Sequence, residues 1–207
     1  MKHGWELVCG EGATETLLRD FVRPAMRAVP SAMGSRLGQC RVSLQAEVDP
    51  GVASRWSKRG PELEVQVATA GIDEHDVAME LLVCFGQALW ENLGAGELNA
   101  YWSLLREEID SGIDAEIDEQ ALEEKRELLK TRSHAKSVKR LESYGCASFA
   151  GTAAEYVHCL WHEVTVRTGQ DCLPAPQLRR RLEMLARWFP PDRGYRLFPR
   201  ARVRACS

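Results

Sequence analysis

Residues 78–90 read AMELLVCFGQALW, a stretch in which Glu80 and Gln87 are the only polar side chains. A helix that is apolar on nearly every face belongs inside a domain rather than on its surface. Gly71-Ile72 breaks the chain just before it, Asp73 supplies an N-cap and Asp76 follows three residues later. The spacing therefore predicts a central buried helix from Glu74 to Glu91.

Upstream of it the period changes to two. Cys40, Val42, Leu44, Ala46 and Val48 alternate with Arg41, Ser43, Gln45 and Glu47 up to an Asp49-Pro50-Gly51 turn, and Leu63, Val65 and Val67 alternate with Glu62, Glu64 and Gln66. This predicts two half-buried strands that pair with each other, joined by SRWSKRGPE (54–62) as a polar loop. Earlier still, Leu17, Leu18, Phe21, Val22, Ala25 and Met26 fall at helical spacing between Thr14 and Arg27, with Pro30 beyond the end.

Downstream, residues 103–130 carry ten acidic side chains between Leu104, Leu105, Ile109, Ile113, Ile117, Leu122, Leu128 and Leu129, the pattern of one or two solvated amphipathic helices. A second long apolar helix is predicted from Phe149 to Val166, ended by Gly169, and a last one from Pro176 to Phe189, stopped by Pro190-Pro191. Arg193, Arg196, Arg200, Arg202 and Arg204 make 191–207 a basic extension, expected to be mobile. The expected fold is α+β, mostly helical, with a small antiparallel or mixed sheet packed on a central buried helix in one domain over residues 1–190.

Composition bounds the function. At 207 residues, with 44% hydrophobic and 28% charged side chains, the chain can bury a real core. Its 27 Lys and Arg against 30 Asp and Glu argue against a nucleic-acid partner, which would need a local basic patch. The seven cysteines (Cys9, Cys40, Cys84, Cys146, Cys159, Cys172, Cys206) are scattered, odd in number and contain no C-x-x-C pair. Reduced thiols and a cytoplasmic location are the expectation, with neither a disulfide framework nor a structural zinc site. No apolar run is long enough for a membrane span, and MKHGWELVCGEGATETLL carries no secretory core.

Within the central helix, Val83-Cys84-Phe85-Gly86-Gln87-Ala88-Leu89 resembles the active-site helix of the zincin metallopeptidases, which usually reads His-Glu-x-Gly-His-Ala-Leu. Ser148 to Val157 is similar to the Phe-Ala-Glu-x-Phe-Ala-x-Tyr helix that follows in many glutamate-zincins and supplies the third metal ligand. The resemblance runs from about Gln39 to Phe189 and implies a zincin-like fold in which the strand Leu63–Val67 is the substrate-aligning edge. The chemistry of that motif needs two histidines on one helix face to bind zinc and a glutamate to polarise the bound water. Val83 and Gln87 stand at the ligand positions and Cys84 at the base, while the acidic positions of the second helix fall on Ala147, Ser148 and Gly151. No catalytic residue carries over. The implied protein is a pseudoenzyme without a cofactor that binds a peptide or protein partner by strand addition, using Glu64, Gln66, Gln87 and Glu155.

A different reading comes from Glu155-Tyr156-Val157-His158-Cys159-Leu160-Trp161-His162. Spacings of three and four place Glu155, His158 and His162 on one helical face, as a zinc or iron site requires, with Glu80 or His75 of the central helix as further ligands. The plainer alternative is histidines hydrogen-bonded to acidic neighbours at the edge of a core. A third reading is self-assembly, in which acidic residues 103–130 meet the basic residues of 179–204, either within the chain or in another copy.

Overall fold

The computed structural model describes residues 2–130, 134–162 and 171–198. The predicted helix end at Val166 and Gly169, together with Arg200, Arg202, Arg204 and Cys206, lies outside them. The fold is α+β and mostly helical, with one small mixed sheet. Strand β1 (Glu6–Cys9) precedes a π-helical stretch (Leu17–Val22) that runs into α1 (Arg23–Ala28) and then α2 (Ser31–Leu37). Next come β2 (Gln39–Gln45), β3 (Ser54–Arg59) and β4 (Glu62–Ala68). The helices α3 (Glu74–Trp90), α4 (Ala95–Asp110), α5 (Glu119–Lys130), α6 (His134–Trp161) and α7 (Ala175–Trp188) complete the chain.

The strands lie in the order β1-β2-β4-β3. β2 pairs in parallel with both β1 and β4, with Val42 opposite Val65, while β3 runs antiparallel to β4 with Trp56 opposite Val65. Alternation does its expected work in β2 and β4, since Val42, Val65 and Val67 are wholly buried while Arg41, Glu64 and Gln66 stand on the other face. Two expectations change. β4 has partners on both sides, so its Leu63–Val67 segment cannot be a substrate-aligning edge; the free edges belong to β1 and β3. The stretch read as a polar loop holds β3, whose Ser54, Trp56 and Lys58 face the helix layer. Its exposed basic residues are the kind of side chain that keeps an edge strand from pairing further.

α3 is buried at Val77, Ala78, Leu81, Leu82, Cys84, Phe85, Gly86, Ala88 and Leu89. It packs on β3 and β4 along one side and against α6 along another. A polar seam follows the edge strand, where Ser54 donates to Glu80 at 2.6 Å, Trp56 Nε1 donates to Gln87 at 2.9 Å and Lys58 lies 3.4 Å from Glu91. The crossing of α3 and α6 is set by Gly86, whose missing side chain lets the two backbones meet. A Cβ there would lie 2.7 Å from Ala150 Cα and 2.8 Å from its carbonyl oxygen. Beside the crossing, Trp90, Tyr101, Trp102 and Phe149 form a cluster of edge-to-face and tilted ring contacts, with centroids 5.3–6.1 Å apart.

Tyr195 and Leu197 pack against the core, and Asp192 accepts from the backbone and hydroxyl of Ser31 while pairing with Lys2. Part of the stretch read as a basic extension thus makes contacts with the rest of the fold. No helix among the described residues is long and apolar enough to cross a membrane.

Gly86→Ala should lower stability by about 1–3 kcal/mol in chemical denaturation, because backbone atoms cannot step aside for the methyl group. Gly96→Ala, at a helical position with open space around it, should be neutral or stabilising by up to about 1 kcal/mol. Equal behaviour of the two variants would remove the crossing as the cause.

Candidate functional site

A cavity of about 1060 Å³ opens between α3, α6, the loop before α5, the start of α7 and the segment 194–198. Met79, Val83, Ile117, Leu160, Leu178 and Leu182 give it apolar walls, and Asp76, Glu80, Asp118 and Glu155 bring carboxylates to the same space. Large apolar clefts with a few convergent polar groups are the usual form of a ligand site.

Two of the positions singled out by the peptidase resemblance, Val83 and Gly151, line this cavity. Gln87 does not; it is bound to Trp56 of the edge strand. Cys84 is 1% exposed, and burial pushes its thiol up to about 12, so it is a small apolar filler and not a base. A Cβ on Gly151 would collide with Asp118 Oδ2, so the carboxylate of the loop takes the place of a side chain on α6. A zinc ion of the peptidase kind does not fit these residues: valine offers no donor atom, the Gln87 amide oxygen is engaged, and Gly151 has no side chain.

The second candidate set is partly assembled. His75 at the start of α3 meets His158 on α6 with 3.0 Å between their Nε2 atoms. His158 Nδ1 lies 3.4 Å from Glu155 Oε2, and the His162 ring stacks on His158 with centroids 5.5 Å apart. Glu80 is not part of this group, since its carboxylate accepts from Ser54. The facing Nε2 atoms of His75 and His158 serve each other, one donating and one accepting. Among the described residues no group of three or more His, Cys, Asp and Glu side chains is arranged to hold a metal ion. His158 is buried and has the Glu155 carboxylate as its acidic neighbour.

Glu64 and Gln66 lie away from the cavity, on the outer face of the sheet, where Glu64 pairs with Arg59 at 3.0 Å and Gln66 accepts from Arg55 at 2.7 Å. Of the four residues expected to bind a partner, Glu155 alone lines the cleft. The acidic and basic segments meet within the chain: Arg180 pairs with Glu107, and Arg181 with Glu108 and Glu116.

That last contact anchors a buried charge network behind the cavity wall. Arg181 has no solvent exposure, yet its guanidinium donates to Glu108, to both oxygens of Glu116 and to Ser148. Glu116 also accepts from Lys125 and Tyr144, and Ser148 and Thr152 share the Tyr101 hydroxyl. Burial works against the Glu116 charge, but Arg181 and Lys125 outweigh it and hold the carboxyl below the usual range. At Asp118 burial prevails instead, lifting its carboxyl above the usual range although the Ala121 amide donates to it at 2.8 Å. Sequence reading missed Asp118, Glu116 and Arg181. The available signal was positional, because Arg181 sits on the apolar stripe Leu178, Leu182 and Leu185, as does Glu108 on Tyr101, Leu104 and Leu105.

Arg181→Met should destabilise the protein by about 3–5 kcal/mol near neutral pH, because Glu108 and Glu116 are left charged and buried; a loss below about 1 kcal/mol would show the network to be dispensable. For Asp118 the sign is reversed. A carboxyl raised in the folded state adds stability only below its unfolded value and costs stability once pH rises through the folded one. Asp118→Asn keeps an acceptor for the α5 cap, so its melting temperature should exceed that of the parent at pH 7 and match it near pH 3; a lower value at pH 7 would mean that the charge is needed. Comparison of the chain with known protein-family models, with curated proteins and with solved structures returns no match.

Proposed function

We infer that this chain is a catalytically degenerate metallopeptidase-like protein that works by binding a peptide or protein segment in the cleft between α3 and α6. The observation that carries this reading is the coincidence of a large apolar cavity with two of the degenerate motif positions, Val83 and Gly151, in its lining. A peptidase needs a metal-bound water and a base at that place; valine, a buried neutral thiol and a glycine supply neither. The space and its apolar walls still suit a ligand.

The mode of binding differs from the strand addition expected from sequence. Both sides of β4 are paired, so main-chain recognition at Leu63–Val67 is closed, and affinity must come from side chains entering the cavity. Glu155, 8% exposed and at the cavity wall, is the residue expected from sequence that keeps its role.

A random peptide library displayed on phage, selected against the full chain, should enrich a consensus that the cavity-filling variants Val83→Trp and Met79→Trp no longer retain, their folding checked by melting temperature. Enrichment unchanged in both folded variants, or none with the parent, would sink the reading. Fluorogenic casein should stay intact with added zinc; hydrolysis that a chelator abolishes would overturn the non-catalytic part.

A further inference from the structure

Four carboxylates of the cleft, Asp76, Glu80, Asp118 and Glu155, differ from the paired Glu116 beside them. Glu108 and Glu116 meet Arg181, Glu97 meets Arg36 and Glu64 meets Arg59. In the cavity wall, Asp76 faces His75, Glu80 accepts from Ser54, Asp118 caps α5 and Glu155 lies against His158 and Cys159. Among the described residues no lysine or arginine comes within ion-pair distance of any of these four. Charge held in a partly closed apolar space without a counter-charge is costly. Arg181 and Lys125 neutralise the buried Glu108 and Glu116, whereas Asp76, Glu80, Asp118 and Glu155 have no ion-paired lysine or arginine among the described residues.

A further segment of the chain borders the same cleft. Residues Arg196, Leu197 and Phe198 line the cavity, and the Arg179 guanidinium lies 4.8 Å from the Phe198 ring centroid, clipping that segment in place. Arg196 is exposed and does not pair with the four carboxylates, so their charge stays available to a ligand.

Resting on the reading of the cleft as a peptide-binding site, we propose that its ligand is a peptide segment with an arginine or lysine flanked by apolar residues, the cation being received by Glu80, Asp118 and Glu155 and the apolar side chains by Met79, Val83 and Leu178. Specificity comes from the charge, because apolar walls accept many shapes while an unpaired carboxylate rejects a neutral or acidic residue.

The test uses labelled acetyl-Leu-Arg-Leu-Phe-amide and its Gln and Glu counterparts, titrated into the full chain by fluorescence anisotropy at low and high salt. The Arg peptide should bind at least about tenfold tighter than the Gln peptide, with the Glu peptide weakest, and salt should narrow the gap. The double variant Glu80→Gln/Glu155→Gln, whose melting temperature is measured alongside, should cut the preference to less than about twofold. Equal binding of all three peptides, or a preference that survives in the folded double variant, overturns the cation proposal. If that equal binding is lost in Val83→Trp, the peptide-binding reading stands without it. No binding of the Arg peptide together with a library consensus that lacks basic residues overturns the proposal in the same way, and absence of both binding and consensus sinks the two together.

Discussion

A guanidinium without solvent contact organises the helical half of this protein. Arg181 cannot lose its charge and cannot stay in an apolar core alone, so every element around it must bring an acceptor. Glu108 comes from the end of α4, Glu116 from the loop before α5 and Ser148 from the middle of α6. Lys125 then answers the second carboxylate, leaving two cations against two anions. Position follows from this demand: α4, α5, α6 and α7 are held around one point, and the loop carrying Glu116 is drawn under α6. Ile117 and Asp118 are thereby set into the cleft wall.

The same loop explains why the cavity has its shape. Gly86 and Ala150 bring α3 and α6 into backbone contact, and the next residue along α6, Gly151, leaves a gap on the cavity side. Asp118 fills that gap with a carboxylate whose other oxygen caps α5. Small residues at a crossing and a polar loop end beside it produce an apolar space with charged corners. The cleft is thus a product of packing between distant segments, and its acidity comes from three separate elements: α3, α6 and the loop.

Much of this was legible in the linear chain. The largely apolar run 78–90 marks the central helix, the Asp73 cap marks its start, and the alternation in β2 and β4 marks two strands. These follow from local periodicity, which depends on neighbours a few residues away. The Arg179-Arg180-Arg181 run shows where local reading stops. As a charge run it reads as solvated, and for Arg179 and Arg180 that is so, whereas Arg181 falls on the buried stripe of α7. Likewise β3 hides in a basic stretch because an edge strand needs apolar residues on one face only, and there Trp56 is the one large apolar side chain.

The linear chain alone shows most of the helices, two of the strands, the buried character of α3 and the absence of peptidase ligands at Val83, Gln87 and Gly151, but neither α2 nor the first half of α6. Each of these is a property of residue type and short-range spacing. Long-range packing sets the rest: β4 is interior, Glu64 and Gln66 face away from the cleft, and Glu108 and Arg181, 73 residues apart, neutralise each other. It also decides that Asp118 occupies the place beside Gly151. Such outcomes depend on which segments meet across long stretches of chain, and the free energy that selects those meetings belongs to the packed whole rather than to any one segment.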